Sequence, residues 1–213
     1  MTISLEVFLD HTCPFSYMAY AAAMRVAEDR ALAIRWRTLP IAGANGSLTP
    51  AEAAMHVLRR DADWPRIEAL AATSFGLKLE RPEWGADARQ AASAAHWAER
   101  ESPDQIAAIH GRLFRAHFEG GRDIGDPDVL AGLLRPFGLD TATLGPALAS
   151  GAFDDDLEAD ARAAEAHGVT AVPAIVADGY LLIGAHPSAV LDRTIEQVML
   201  AGSVERPSGG STG

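Results

Sequence analysis

Apolar and polar positions alternate at the start of the chain, in residues 3–9 and again in residues 33–39, with frequent β-branched and aromatic types. This alternation predicts two strands. Residues 14–30 lie between them, have a helix-forming composition and begin with Pro14, which suits the first turn of a helix. The opening of the chain is therefore predicted to be β-α-β.

Helical spacing replaces this alternation in the middle of the chain. Residues 49–148 contain no convincing strand pattern, whereas apolar residues recur with helical periodicity in residues 88–101, 106–118 and 129–137. Prolines at candidate helix starts and glycines between these segments predict four or five helices.

Strand patterns return in the last third of the chain. A helix is predicted for residues 153–167, followed by a β-type run over residues 169–177 that contains one proline. Asp178-Gly179 is typical of a two-residue hairpin turn, so residues 180–183 are predicted to form the returning strand. A final amphipathic helix is predicted for residues 187–201.

The predicted order of elements places the chain in the α/β class. It reads β-α-β, a helical block, then α-β-β-α, which matches a thioredoxin-like fold with an inserted all-helical domain. We expect residues 1–48 and 150–202 to form a discontinuous thioredoxin-like domain and residues 49–149 to form the insertion. The polar, Gly/Ser/Pro-containing residues 203–213 are predicted to be a disordered tail.

Composition narrows the classes of function and of location. The chain has 18 Lys and Arg against 29 Asp and Glu, a net charge of −11, which argues against a nucleic-acid partner. The first ten residues lack a basic segment, and no apolar run approaches the roughly 20 residues of a membrane span, so neither a secretory signal nor a membrane partner is expected. A single cysteine fits a reducing compartment, and we expect a cytoplasmic protein.

Cys13 is the candidate reactive group, because it lies between a predicted strand and Pro14 at a predicted helix start. Free N–H groups and the helix dipole stabilise a thiolate there, so we expect a Cys13 pKa below the free value of about 8.5. The alternative is a buried, inert cysteine that acts as a small hydrophobic residue. His11 as a cation would lower this pKa further, unless its side chain points away from the sulfur.

Pro173 is the second candidate, because a proline cannot donate a hydrogen bond within a sheet. Either its strand lies at an edge, or the Val172–Pro173 bond is cis and forms a bend, or a trans proline begins the strand. A bend would leave the backbone of Val172 available to pair with an incoming chain.

Together these motifs resemble the DsbA-like thioredoxin family, in particular its FrnE-like branch. The matching segments are residues 10–17 (DHTCPFSY), 89–91 with 95–98, 113–118 with 121–124, 168–173 (GVTAVP) and 184–187 (GAHP). The resemblance implies a thioredoxin domain interrupted by a helical domain, with Cys13 as the nucleophile of the family's Cys-x-x-Cys and Pro173 as a cis-proline facing it. The residues expected to bind the substrate or thiol partner are His11, Pro14, Phe15, Val172 and Pro173.

Ser16 stands where that family has its second cysteine. Release of a mixed disulfide needs a second thiolate, so this chain is not expected to complete a dithiol cycle alone. The Ser16 hydroxyl would hydrogen-bond the Cys13 thiolate, or Ser16 would instead be a simple first-turn residue of the helix whose hydroxyl satisfies a nearby backbone group. The leading hypothesis is a monothiol oxidoreductase with Cys13 and Ser16 as catalytic residues. Its partner would be a protein disulfide or a small thiol, with glutathione or a similar thiol as co-reactant and no tightly bound cofactor.

The motif Cys-Pro-Phe-Ser-Tyr is also similar to the Ser-Pro-Tyr-Ser-type motif of kappa-class glutathione transferases and 2-hydroxychromene-2-carboxylate isomerases. This resemblance implies a second hypothesis, a glutathione-dependent transferase or isomerase that acts on a small organic molecule between the two domains. A third is a non-catalytic module that binds a peptide or small ligand. The other histidines lack ligand spacing, so no metal site is expected, and the sequence is compatible with a monomer or a homodimer.

Overall fold

The computed structural model describes residues 3–40, 61–82 and 86–204. The predicted β-α-β opening is confirmed and consists of strand β1 (Ile3–Leu9), helix α1 (Pro14–Asp29) and strand β2 (Leu32–Thr38). Strand β1 has the predicted bounds, whereas β2 begins and ends one residue earlier than expected.

A block of five helices follows among the described residues. These are α2 (61–70), α3 (Ala88–Glu101), α4 (Ile106–Phe118), α5 (Pro127–Leu134) and α6 (Leu144–Ala149). Helices α3 and α4 have the predicted bounds, and α2 continues into a π-helical turn at Ala71–Phe75. No helix in the described ranges combines the length and the apolar character needed to cross a bilayer. The predicted boundary between residues 48 and 49 falls outside the described residues.

The C-terminal part comprises helix α7 (Asp154–Ala166), strands β3 (Ala174–Ala177) and β4 (Tyr180–Ile183), and helix α8 (Ser188–Val204). The strand predicted for residues 169–177 is wrong in its first half. Only the four residues after Pro173 pair, because proline has no N–H to donate to a neighbouring strand.

The ends of this C-terminal part test two further predictions. The hairpin turn is confirmed, because Asp178 and Gly179 have φ angles of 47° and 85°, which a two-residue turn of this type requires. Helix α8 includes residues 203 and 204, so the predicted disordered tail begins too early, and residues 205–213 lie outside the described residues.

The four strands form one sheet in the order β2-β1-β3-β4. Strand β1 runs parallel to β2, with Leu9 opposite Thr38, and antiparallel to β3, with Phe8 opposite Ala174. Strand β1 is an inner strand, and only residues 10–13 separate it from α1. The turn that contains Cys13 therefore follows the C-terminal end of an inner strand of the sheet.

The two faces of the sheet pack against different helices. Leu5, Val7 and Leu9 belong to a large apolar cluster that continues without interruption into the helical block, where it includes Phe114 of α4. Phe8, which points to the other face, packs with Ala164 of α7 and with two residues of β3. The helical block therefore shares its core with the sheet.

Helix α4 lies unusually close to α1. A Cβ atom at Gly111 would be 2.3 Å from the hydroxyl oxygen of Tyr20, so a larger residue would force the helices apart or displace the tyrosine. The Tyr20 hydroxyl donates a hydrogen bond to the carbonyl of Ala107 at 2.9 Å, and the ring of Tyr17 stacks on Phe114. This contact fixes the position of α4 relative to the turn that precedes α1.

Candidate active site

A tight turn connects β1 to α1 and carries the candidate nucleophile. The backbone N–H of Cys13 donates to the carbonyl of Asp10 at 3.0 Å. The Asp10 carboxylate stabilises the turn, because it accepts hydrogen bonds from the Thr12 N–H at 2.7 Å and the Thr12 hydroxyl at 2.8 Å. This arrangement holds the backbone of residues 10–13 in one conformation.

Cys13 is the N-cap residue of α1, as predicted from its position before a proline. Its backbone is extended, with φ −97° and ψ 117°, and Pro14 occupies the first helical turn. The Cys13 carbonyl accepts the N–H groups of Ser16 at 3.0 Å and Tyr17 at 3.2 Å, the first bonds of the helix. The side chain of Cys13 is partly exposed and is a free thiol.

The pKa of Cys13 is raised, which contradicts the expectation of a lowered value. Burial is the largest cause, and the negative charge of Asp10 adds to it. Hydrogen bonds from the Ser16 N–H, the Ser16 hydroxyl and the Phe15 N–H act in the opposite direction. The donors expected at the helix start are thus present, but they do not outweigh burial, so Cys13 is a protonated thiol at neutral pH.

Ser16 performs both of the roles considered for it. Its side chain is completely buried, and the hydroxyl oxygen accepts a hydrogen bond from the N–H of Asp10 at 3.1 Å. The same hydroxyl hydrogen-bonds the Cys13 sulfur and acts to lower its pKa. Ser16 therefore links the first residue of the turn to the reactive group.

His11 does not supply a positive charge to Cys13. Its imidazole is 1% exposed, and burial, with smaller contributions from His117 and His96, lowers its pKa to about 3. The ring packs on α4, where Nε2 lies 2.8 Å from Nδ1 of His110. The prediction that His11 acts as a cation is wrong, because a buried imidazole without a carboxylate partner stays neutral.

The remaining predicted site residues lie at the same end of the sheet. Phe15, next to Cys13, is 37% exposed, whereas Pro14 is buried. The Val172–Pro173 peptide bond is cis, and extending the β1–β3 register by one residue places Pro173 opposite Leu9. The carbonyl of Pro173 accepts the N–H of Gly184 at 2.8 Å. Val172 lies outside the β-ladder and packs against the cluster that contains Phe8.

The structure adds buried polar residues that the sequence did not single out. The Asp160 carboxylate accepts hydrogen bonds from the Thr38 N–H at 2.7 Å and from Arg37 at 3.0 Å, and lies 3.0 Å from Nε2 of His96. His110 is the other addition. No short sequence motif joins these residues, since each contact bridges segments far apart in the chain.

Within the part of the chain that the structure describes, no group of three or more His, Cys, Asp or Glu side chains is arranged to hold a metal ion. Two open depressions of the surface also lie away from the turn. One is lined by Pro65, Leu77 and neighbouring residues, and the other lies between α1 and α8. Neither of these depressions is lined by Cys13.

Comparison with known proteins agrees with this architecture. Residues 4–196 match the DSBA-like thioredoxin domain. A probable DsbA oxidoreductase from Streptomyces coelicolor has a TM-score of 0.79 at 22% identity, with 99% of this chain and 94% of that chain covered. A 2-hydroxychromene-2-carboxylate isomerase has a TM-score of 0.71 at 19% identity, with 96% and 100% covered. The cytosolic disulfide reductase DsbM from Pseudomonas aeruginosa, in a structure with GSH, has a TM-score of 0.65 at 18% identity, with 95% and 100% covered.

The three structures share the fold of this chain. The family match is stronger evidence of kinship because it spans nearly the whole sequence, from the first strand to the last helix. The chain belongs to the DSBA-like thioredoxin domain family.

Proposed function

We propose that this chain catalyses thiol–disulfide exchange through Cys13 alone, and that an external thiol of the glutathione type completes the reaction. One observation carries the proposal: Cys13 caps α1, its sulfur is hydrogen-bonded by the Ser16 hydroxyl and two N–H groups, and Ser16 occupies the position of a second cysteine. These donors stabilise a thiolate when it attacks or leaves. The chain has no other cysteine to resolve a mixed disulfide.

The proposed cycle has two balanced exchange steps. In the first, the Cys13 thiolate attacks a disulfide R–S–S–R′, a bond forms between Cys13 Sγ and the R sulfur, and R′–S⁻ leaves and takes up a proton. In the second, the glutathione thiolate attacks the R sulfur, and Cys13 leaves as a thiolate while glutathione carries R as a new disulfide. One disulfide is consumed and one is formed, so no other oxidant or reductant is needed.

The electrostatics of the site do not make Cys13 a strong oxidant. A cysteine whose thiolate is strongly stabilised makes its enzyme an oxidant, because the reduced form is then the favoured one. Burial and Asp10 raise the pKa of Cys13, so this site lacks that stabilisation. The likeness to a cytosolic disulfide reductase in a structure with GSH supports a reducing role, a glutathione partner and a cytoplasmic location.

We propose that the partner binds across Phe15 and the segment before β3. Phe15, two residues after Cys13, offers an exposed aromatic ring, and its backbone N–H hydrogen-bonds the sulfur. Val172 and Pro173 lie at the same end of the sheet, and Val172 is outside the ladder, where its backbone could pair with an extended substrate. His11 is buried beneath this surface and would support it without touching the partner.

The proposal is tested by reduction of a peptide–glutathione mixed disulfide, with reduced glutathione supplied and its oxidised product measured by a coupled reductase. The wild type should turn over, with a rate that rises with glutathione concentration. Cys13→Ala should reduce the rate to that of the uncatalysed reaction, whereas Phe15→Ala should raise KM. Activity retained by the folded Cys13→Ala variant would overturn the proposal.

A second candidate is a glutathione-dependent isomerase, favoured by the protonated state of Cys13 and by the likeness to 2-hydroxychromene-2-carboxylate isomerase. In that case glutathione would bind without forming a disulfide to the protein. Calorimetric titration with reduced glutathione discriminates the two functions. If glutathione binds the wild type and Cys13→Ala with equal affinity, and the wild type has no exchange activity, the isomerase is favoured. Absence of both binding and exchange would favour a non-catalytic module.

A further inference from the structure

The turn that carries Cys13 is attached to the helical block by two histidines. Nε2 of His11 lies 2.8 Å from Nδ1 of His110, and the two rings lie edge to edge and nearly coplanar, with centroids 5.1 Å apart and an interplanar angle of 15°. Both side chains are 1% exposed, and the ring of Phe114 closes one side of His11. One imidazole donates and the other accepts, so the pair needs neither a charge nor a solvent molecule.

The other ring nitrogen of His11 is buried without a partner. Among the described residues, nothing hydrogen-bonds Nδ1 of His11, so this ring makes no hydrogen bond to the Cys13 sulfur two residues away. An unsatisfied buried nitrogen is costly, and the imidazole would regain a partner if it turned out into water. The hydrogen bond to His110 and the packing against Phe114 are the contacts that oppose this movement.

The position of His110 depends on the close approach of α4 to α1. Gly111, the next residue, allows that approach, because any side chain there would meet Tyr20. The packing of α4 against α1 thus places the His110 imidazole beside the turn, although His11 and His110 are far apart in sequence.

We propose that His110 is a positioning residue that acts on Cys13 through His11: it holds the His11 imidazole inside the protein, neutral and turned away from the sulfur. The inference rests on the proposed role of Cys13 as the reacting thiol. If the pair were broken, His11 would turn outward, regain the ordinary imidazole pKa near 6.5, and place a cation beside the thiolate. Stabilising the thiolate would make Cys13 more reactive near neutral pH and the site more oxidising.

Several other titratable groups surround the turn, but the proposed change in charge concerns His11 alone. The titratable groups near His11 and Cys13 are Asp10 in the turn, Tyr17 on α1, His96 on α3 with its partner Asp160 on α7, and His117 on α4. Burial lowers the pKa of His110 well below its usual range, as it does for His11. Burial and the hydrogen bond to Glu119 raise the pKa of Tyr17, which stays neutral. Replacing His110 removes the hydrogen bond of His11.

The test is the pH dependence of Cys13 alkylation by iodoacetamide in His110→Leu, His110→Asn and the double variant His11→Phe/His110→Leu. Leucine fills the space but cannot bond His11, whereas asparagine places an amide close to the position of Nδ1 and should restore the contact. We expect His110→Leu to react at least about threefold faster than the wild type at pH 6, with an added inflection near pH 6.5. His110→Asn and the double variant should retain the wild-type profile.

An unchanged profile in folded His110→Leu would overturn the inference, as would a faster reaction that persists in the double variant. A merely structural role would lower the melting temperature without moving the profile. If His110→Leu does not fold, NMR titration of the wild type decides: the His11 ring should not titrate between pH 5 and 8, and titration near 6.5 would refute the inference. Alkylation requires no disulfide substrate, so this result is independent of whether the proposed exchange activity is found.

Discussion

The hydroxyl oxygen of Ser16 lies 3.1 Å from the backbone nitrogen of Asp10 and accepts its proton, while the same hydroxyl hydrogen-bonds the Cys13 sulfur. A cysteine at position 16 could resolve a mixed disulfide but would be a weak acceptor for the Asp10 N–H. Serine instead ties the two ends of the turn together and leaves the exchange reaction dependent on an outside thiol. The Ser16 hydroxyl thus connects Asp10 and Cys13 by hydrogen bonds.

Ser16→Ala should weaken both the fold and the thiolate. The variant leaves the buried Asp10 N–H without an acceptor, which should lower the free energy of unfolding by about 1–3 kcal/mol. It also removes a donor from the sulfur, so the Cys13 pKa should rise further and alkylation at pH 7.5 should slow. Urea unfolding and the alkylation profile measure the two effects. An alkylation rate equal to or above that of the wild type would contradict this role of Ser16.

Cys13 should make the protein less stable at alkaline pH. Its pKa is raised in the folded state, so the unfolded chain loses this proton first, and stability falls as pH rises above about 8.5 towards the folded pKa. The loss should approach about 1.4 kcal/mol per pH unit in that window. Urea unfolding between pH 7.5 and 10 measures it, with Cys13→Ala as the control that lacks this term. Parallel curves for the two proteins would show that burial does not disfavour the thiolate.

Asp160→Asn should destabilise the protein strongly. Asp160 is 3% exposed, and its carboxylate binds Arg37, His96 and the Thr38 N–H, so the amide would lose one charge and its attraction to both basic groups, while Arg37 would keep Glu6 as its other partner. We expect a loss of about 1–3 kcal/mol. Arg162→Ala is the matched control on the same helix, because its pair with Glu158 is exposed and should contribute less than about 0.5 kcal/mol. Similar losses for the two variants would contradict the assignment.

Two glycine-to-alanine variants test the approach of α4 to α1. Gly111→Ala should cost about 1–3 kcal/mol, because the new methyl group overlaps the Tyr20 hydroxyl. Gly132→Ala on α5 meets no atom within 4 Å and should stabilise by about 0.5–1 kcal/mol through helix propensity. Thermal or urea unfolding of both variants gives the comparison. A neutral Gly111→Ala would show that the helices can separate freely.

The sequence predicted those elements whose pattern is local. Strand β1, helices α3 and α4 and the Asp178-Gly179 turn follow from alternation, helical spacing and turn chemistry, and the structure confirms them. The β3 prediction included residues before Pro173 because β-type composition continues through the proline, whereas backbone pairing does not.

The chemistry of the site was predicted less completely, for a physical reason. The positions of Cys13 and Ser16 at the start of α1 could be predicted, because Pro14 marks a recognisable helix start. The sign of the Cys13 pKa shift could not, because burial by distant segments outweighs the local donors. His110 could not be found either, since its contact with His11 depends on how α4 packs against α1.

The central claim is that Cys13 exchanges disulfides alone and needs an external thiol. The most direct measurement is the intact mass of the wild type and of Cys13→Ala after incubation with oxidised glutathione, followed by addition of reduced glutathione. The account predicts one glutathione adduct on the wild type, none on Cys13→Ala, and return to the free mass only after reduced glutathione is added. A wild type that forms no adduct, or an adduct that is released without added thiol, would contradict it.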